Sequence, residues 1–359
     1  MRDFKKHIIT RTATVLDAVR MLNGIAEDLS LTLFVVDPAS RRMVGTVTDG
    51  DIRRAISGGC GLGCNVGETM NAGFTYIREG DFSVDTLRDI KAHRFKLVPV
   101  LDGEGRIVRV LDFSDGRSFL PIDAVLMAGG KGERLRPLTL TTPKPLLEVA
   151  GKPIIDYNIE NLLRHGIEHI NVTTNYLGEQ LETHFAEPVY CGGADAVQVR
   201  CVREPQYLGT MGSIKFVPDW HNDTILVMNS DLFTNIDLED FYLHFEKHGA
   251  DMSVAAVPYN VSVPYGIFEI ENTREICGIR EKPNFHYYAN AGIYLIRREV
   301  LEHIPDGLFY NATDLMEHLI SGKRKVIRFP LSGYWIDIGK PDDFRKVQEL
   351  AQHINKNKR

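Results

Sequence analysis

From position 126 to 153 the chain reads Leu-Met-Ala-Gly-Gly-Lys-Gly-Glu-Arg-Leu-Arg-Pro-Leu-Thr-Leu-Thr-Thr-Pro-Lys-Pro-Leu-Leu-Glu-Val-Ala-Gly-Lys-Pro. Three residue types in this run can handle phosphate. Gly129, Gly130 and Gly132 let the backbone turn tightly and bring its N–H groups close to phosphate oxygens. Arg134 stands just past the last glycine, and its guanidinium fork donates two hydrogen bonds at once. Lys144 is framed by Pro143 and Pro145, which stiffen the segment that carries it. The spacing is G-G-x-G-x-R, not the G-x-G-x-x-G of dinucleotide folds. Pro137 also comes too soon for a long helix directly after the loop.

Carboxylates complete the set. Asp231 follows the apolar run Ile225-Leu226-Val227-Met228, and Asp337 sits within Trp335-Ile336-Asp337-Ile338-Gly339. Strand-end carboxylates suit a hard cation that keeps several waters and bridges phosphates. Glu204 precedes Leu208-Gly209-Thr210. No Ser-His-Asp or Cys-His layout of comparable strength accompanies them.

The glycine run resembles the signature of the sugar-1-phosphate nucleotidylyltransferases, G-G-x-G-x-R-L-x-P-L-T followed by P-K-P. The resemblance runs from about residue 122 to about 350. Later blocks match in the family's order: Leu208-Gly209-Thr210, Asn229-Ser230-Asp231, Tyr265-Gly266, Glu281-Lys282-Pro283, Asn290-Ala291-Gly292-Ile293-Tyr294 and Trp335 to Gly339. The resemblance implies an enzyme in which a sugar-1-phosphate oxygen attacks the α-phosphorus of an NTP and expels pyrophosphate. It places Arg134 and Lys144 as the catalytic charges. Met127, Ala128, Gly129, Gly130, Gly132, Glu204, Gly209 and Thr210 would hold the nucleotide. Gly266, Glu281, Lys282 and Asn290 would hold the sugar phosphate. Asp231 and Asp337 would hold Mg²⁺. Ser230 departs from the glycine that the family usually has before this aspartate.

In the resembling uridylyl and thymidylyl enzymes a glutamine at the position of Glu204 reads the pyrimidine. A glutamine both donates and accepts, whereas an ionised glutamate only accepts. Guanine offers two adjacent donors, N1–H and N2–H₂, so the expected base is guanine, with cytosine next. The reading is a guanylyltransferase acting on a hexosamine or hexose phosphate such as glucosamine-1-phosphate or mannose-1-phosphate. A cytidylyl-, uridylyl- or thymidylyltransferase is the alternative. From another class, a non-catalytic nucleotide sensor remains open.

These residues need a scaffold. Val125 to Ala128 reads as a buried parallel strand. From residue 122 onward strands alternate with helices: strand 124–127, helix 154–165, strand 170–173, helix 178–185, strand 197–202, helix 211–217 and strand 224–228. The fold class expected is α/β, a Rossmann-like nucleotidyltransferase domain with a mostly parallel sheet and ligands at the strand C-termini. The tail from Gln352 to Arg359 is polar and is expected to fray.

The first 120 residues read as a repeat with an offset of about 65 residues. Leu33 to Asp37 and Leu97 to Asp102 are strands ending in aspartate, each followed by a polar turn and a second strand, Met43 to Val47 or Ile107 to Leu111. Each copy then reaches Asp-x-Arg, at Asp51 or Asp115. Helical patterns precede both, at 15–22 and 84–90. This half resembles a tandem CBS (Bateman) module, which implies an adenine-nucleotide effector held by the Thr48 hydroxyl and the Asp51 carboxylate. The second copy has Asp112 and Arg109 where Thr48 and Gly45 stand, and a carboxylate repels phosphate. The expected domains are therefore 1–120, a regulatory CBS pair, and 121–359, the transferase.

Composition narrows the class. The 359 residues are 43% hydrophobic and 25% charged, with a formal net charge of −6, so nothing advertises nucleic acid or an anionic membrane. No run approaches a membrane span, and the charged N-terminus lacks an apolar segment after it. Five cysteines argue against a disulfide framework. Cys60 and Cys64 share a Gly-rich loop without a second ligand pair, so reduced thiols and a cytoplasmic location are expected. A homo-oligomer, a dimer first, is the expected assembly.

Overall fold

The computed structural model describes residues 4–25, 30–79, 86, 89–90, 92–93, 95–113, 118–190, 196–271 and 274–357. It divides into two compact units. The first comprises Met1–Leu120 with Arg164–Gly166 and Tyr190–Ala196. The second comprises Pro121–Leu163, Ile167–Val189 and Val197–Arg359.

The first unit holds two three-stranded sheets of the same design. One orders its strands Ile8–Thr10, Thr32–Val36, Met43–Thr48, and the other Ile77–Arg78, Leu97–Leu101, Ile107–Asp112. In each, the first pair is parallel and the second antiparallel. In each, the antiparallel register shifts at the end of the central strand, at Val35/Val36 or Val100/Leu101. Phe34 and Met43 of the first hairpin and Leu101 of the second share a buried cluster, so the copies cover one another's apolar faces. The helical pattern at 84–90 and the Asp115 to Arg117 segment fall largely or wholly outside the described residues.

Helix Val15–Gly24 packs Val15, Ala18 and Leu22 inward, the three- and four-residue spacing of an amphipathic helix. The loop Gly58–Cys64 closes over its start, where Val15 and Leu16 donate N–H bonds to the carbonyls of Cys64 and Leu62. In this loop the turn through Gly61 and Gly63 brings the Cys60 and Cys64 thiols together, their Cα atoms 6.0 Å apart, within the span a disulfide bridges.

In the second unit a seven-stranded sheet runs in the order Arg200–Arg203, His169–Thr174, Ile122–Ala128, Thr224–Asn229, Asn284–Arg297, Met252–Ser262, Val326–Pro330. The first four strands are mutually parallel, and Asn284–Arg297 runs antiparallel to both of its neighbours. Ile122–Ala128 lies centrally with only Met127 less than fully buried. From Ala124 to Ala128 its side chains, pointing alternately to the two faces, are buried or nearly so, which is why this part reads as an unbroken apolar run. Val125, Ile225, Val227, Met252 and Ile296 pack against Ile214, Leu315 and Leu319 in the main core cluster.

Two elements depart from the sequence reading. The segment expected as helix 211–217 is a 3₁₀ turn, Gly212–Phe216. A Cβ on Gly212 would lie 2.5 Å from the Leu308 carbonyl, so the chain is pressed against a neighbour where a full helix has no room. The expected fraying tail instead continues helix Pro341–Asn357, whose Val347 and Ala351 are buried against Leu147 and Val149. Among the described residues, no helix is long and apolar enough to cross a membrane.

Candidate active site

The strand Ile122–Ala128 delivers the glycine loop to the carboxyl edge of the sheet. Gly132 adopts a left-handed φ of 59°. A Cβ there would also lie 3.0 Å from Thr139 and 3.2 Å from Lys144 Cβ, so the position excludes a side chain for two reasons. The Thr139 hydroxyl donates to the Gly132 carbonyl at 2.9 Å and pins the loop. As Pro137 requires, only 3₁₀ turns follow: Glu133–Leu135, Leu138–Leu140 and Lys144–Leu146.

A cavity of about 660 Å³ opens above this loop. Met127, Ala128, Gly129, Gly130, Gly132 and Arg134 form one wall. Glu204, Gly209 and Thr210 form a second, and Lys144, Asp231 and Asp337 meet in its floor. The catalytic, nucleotide and metal positions expected from sequence thus converge on one space.

Lys144 is 8% exposed. Its ammonium is ion-paired with Asp231 and lies 3.7 Å from Asp337. The two aspartates are neighbours because strands Leu232–Thr234 and Trp335–Asp337 pair antiparallel, with Leu232 opposite Asp337. Burial, and then the nearby Asp231 carboxylate, raise the Asp337 carboxyl above its ordinary range; Lys144 and Arg134 pull it back. Asp231 Oδ1 is buried with no hydrogen-bond partner. A buried carboxylate oxygen left unpaired is costly, and a hard cation at this pair would satisfy it. The donor set therefore fits a divalent metal.

Ser230 explains its departure from glycine. Its hydroxyl donates to the Met127 carbonyl at 2.7 Å, fastening the Asn229-Ser230-Asp231 turn to the end of the central strand. Asn229 in turn lies against Gly292, whose φ is 71° and whose Cβ, if present, would be 2.5 Å from Asn229 Nδ2. Asn290 shapes that turn by accepting the Gly292 N–H at 2.9 Å. The Trp335 indole donates to the Ala291 carbonyl at 2.8 Å, which ties the Asp337 strand to the same place. Arg134 rests on Gly339, where a Cβ would meet its guanidinium nitrogens at 3.2 and 3.3 Å.

Glu204 is 3% exposed. The Leu208 N–H donates to its Oε2 at 3.0 Å. Its Oε1 fills the space a Gly129 side chain would need. Burial pushes its carboxyl up to about 7, with the Leu208 N–H acting the other way. Gly209 has φ 78° and sits against the Tyr310 carbonyl, and the Thr210 hydroxyl accepts the Ala312 N–H at 2.9 Å.

The sugar-side positions stand apart. Gly266 and Glu281 are together, since a Cβ on Gly266 would lie 2.9 Å from Glu281 Oε2. Neither they nor Lys282 and Asn290 line the cavity. Sequence reasoning passed over Tyr207, which is 48% exposed and lines the cavity between Glu204 and Gly209. An aromatic in the same loop as a base-reading candidate was the available signal.

In the first unit, Thr48 and Asp51 are in contact. Thr48 Oγ1 donates to Asp51 Oδ2 at 2.6 Å and caps helix Asp49–Ser57, and Asp51 pairs with Arg54. Thr14 and Asp17 form the same capping box on the preceding helix. A ligand using Thr48 and Asp51 would have to compete with this cap.

A second cluster, Asp123, His169 and His221, brings potential ligand atoms within 4.8 Å at the other edge of the sheet. Asp123 already accepts the N–H groups of His221 and Asn222 and the Asn222 side-chain amide. The two imidazoles are stacked at 3.7 Å with planes 4° apart, so their in-plane lone pairs run parallel rather than converging on an ion.

The chain matches the nucleotidyl transferase family over residues 123–353 and the CBS domain family over residues 2–58. It is 32% identical over 239 residues to a mannose-1-phosphate guanylyltransferase of Mycobacterium tuberculosis, covering 65% of this chain and 66% of that protein. It is 30% identical over 254 residues to a UTP–glucose-1-phosphate uridylyltransferase of Synechocystis, covering 65% and 64%. The chain thus spans a little under two thirds of the length of these relatives. The solved structure of HddC from Yersinia pseudotuberculosis is 26% identical, with a TM-score of 0.49, over 63% of this chain and 98% of that one.

Proposed function

This chain belongs to the nucleotidyl transferase family, and from that premise we propose that it transfers a nucleoside monophosphate from an NTP, GTP first, to a sugar 1-phosphate and releases pyrophosphate. The observation that carries the reading is the meeting of Lys144, Asp231 and Asp337 beside the glycine loop in one cavity. No protein nucleophile is required. The barrier falls through positioning and charge neutralisation in an in-line displacement.

The N–H groups of the Gly129–Gly132 loop would cradle the phosphates. Arg134, seated on Gly339, would hold the leaving pyrophosphate, and Lys144 would add a point charge. Asp231 and Asp337 would hold Mg²⁺, which when bound neutralises charge on the phosphate oxygens. Glu204 at the cavity wall would accept both guanine donors, with Tyr207 offering a face for the base to stack on. On the sugar side, Gly266, Glu281, Lys282 and Asn290 would carry the acceptor, with a hexosamine or hexose phosphate as candidates. The CBS half would serve as a regulatory module.

One observation favours a second reading of the base. A carboxyl carried to about 7 is partly protonated near neutrality and can then donate as well as accept, which also serves uracil. The two curated relatives, one guanylyl and one uridylyl by name, are similar to nearly the same degree. A matrix of four NTPs against a panel of sugar 1-phosphates, reading pyrophosphate, tests the proposal. Release with GTP and one sugar phosphate supports it. No release with any pair would return the chain to the sensor reading.

A further inference from the structure

We propose that Lys144 is an internal counter-ion that occupies the cation position between Asp231 and Asp337 until the nucleotide arrives, so that this lysine decides when the metal can bind. The inference rests on the proposed reading of the two aspartates as metal ligands. It goes beyond that reading by giving Lys144 a second station.

The geometry carries it. A lysine whose only task was to meet phosphate would extend toward the open cavity. Instead its side chain is only 10% exposed, and its ammonium is bonded to Asp231 and lies 3.7 Å from Asp337. Two carboxylates held side by side by a strand ladder repel, and a partly buried pair of like charges is eased by a cation. Here the protein supplies one. The proline on either side of Lys144, with the 3₁₀ turn Lys144–Leu146, fixes the backbone from which the ammonium reaches.

One ammonium does not complete the site. Asp231 Oδ1 remains buried and unpartnered while Oδ2 takes the lysine. The carboxylate pair is therefore partly neutralised and still short of donors. A divalent cation entering with Lys144 in place would meet a positive charge within a few ångströms. A triphosphate in the glycine loop changes the balance. Gly132 lies beside the Lys144 stem, so phosphates cradled by that loop would sit within reach of the ammonium. As Lys144 moves to phosphate it frees Asp231, and the metal can take the vacated oxygens. Metal and nucleotide would then bind with positive coupling, each raising the other's affinity by the same factor.

The test is metal binding by the full chain with no sugar phosphate, so that no turnover is read. Mn²⁺ is the probe, and the signal of free Mn²⁺ in electron paramagnetic resonance, read against a protein-free sample holding the same GTP, gives the fraction bound by the protein. For the wild type we expect weak binding alone and at least tenfold tighter binding with GTP present. Lys144→Met, similar in length and uncharged, should bind Mn²⁺ at least tenfold more tightly than wild type without nucleotide, and GTP should raise that affinity by a smaller factor than it does in wild type. Lys144→Arg keeps the charge and should remain weak without nucleotide. Circular dichroism establishes that each variant is folded, and Lys144→Gln replaces Lys144→Met if the latter is not. Equal nucleotide-free affinity in wild type and in the folded uncharged variant overturns the counter-ion role, even if GTP-dependent binding persists. If Asp231→Asn and Asp337→Asn leave GTP-dependent Mn²⁺ binding unchanged, the metal is not held there, and the reading of the aspartates falls together with this inference.

Discussion

Glu204→Gln separates what a buried carboxyl does for stability from what it does for the base. Burial carries this carboxyl from its ordinary 4.5 to about 7. It therefore holds its proton about 3 kcal/mol more tightly in the folded chain than in the unfolded one. The folded value lies above the unfolded one, which fixes the sign. Below about pH 4.5 the carboxyl is neutral in both states and glutamine brings no advantage. As pH rises through the interval to about 7, the unfolded chain releases its proton first and the wild type loses stability relative to the variant. Above about 7 the difference stays constant. The Leu208 N–H bond reduces the gain, because it is stronger to a carboxylate than to an amide. We expect Glu204→Gln to be more stable than wild type by about 1–3 kcal/mol at pH 8 and by much less at pH 5. Both tryptophans, Trp220 and Trp335, lie in the second unit, so urea unfolding followed by tryptophan fluorescence reports on the right half of the chain. In the same pair of proteins, kcat/KM for GTP and UTP should show the variant losing its preference for GTP by about tenfold to a hundredfold. A stabilisation over wild type no larger at pH 8 than at pH 5 would refute the burial argument. An unchanged ranking of bases would remove Glu204 as the base reader.

Other tests address the remaining parts of the site. Arg134→Ala and Lys144→Ala should each lower turnover by roughly two to three powers of ten with the fold intact, and near-normal pyrophosphate release in both would sink the assignment. Activity should require Mg²⁺ and disappear with a chelator, and Asp231→Asn should weaken both rate and metal dependence; turnover in the wild type without metal would count against the aspartate pair. An adenine nucleotide should raise the melting temperature of the full chain, and Thr48→Ala with Asp51→Ala should abolish that shift while costing about 1 kcal/mol through the lost cap; no shift with any adenine nucleotide would leave Thr48 and Asp51 as capping residues only.

What could be read from the sequence followed from how tightly local chemistry constrains residue type. A loop that needs φ near 59° and no Cβ must use glycine at 132, and a lysine between prolines declares itself. Continuous apolar runs located the parallel strands at 122–128, 169–174 and 224–229 to within two residues, whereas the strand expected at 197–202 begins only at Arg200. The errors lie where a distant partner decides. Nothing near Ser230 reveals that its hydroxyl would find the Met127 carbonyl. The turn at Gly212 is set by Leu308 and Tyr310, about a hundred residues on. The tail's helix is held by Leu147 and Val149 rather than by its own polar sequence. Glu204 was legible as a chemical anomaly, but its burial and its seat against Gly129 were not.

The strand Asn284–Arg297 runs for 14 residues, a length of up to roughly 46 Å. Its last part, from Ala291 to Ile296, is buried in the central sheet, and its first part emerges beyond it paired with Met252–Ser262. The register between these two strands shifts at Val254/Ala256, close to where the pair leaves the core. The pair behaves as a beam anchored at one end. Its free end carries Glu281-Lys282-Pro283, and its anchored end presses Gly292 against Asn229, next door to Asp231. A shifted register bends and twists a strand pair locally, so the irregularity at Val254/Ala256 sets the direction in which the tip projects from the sheet.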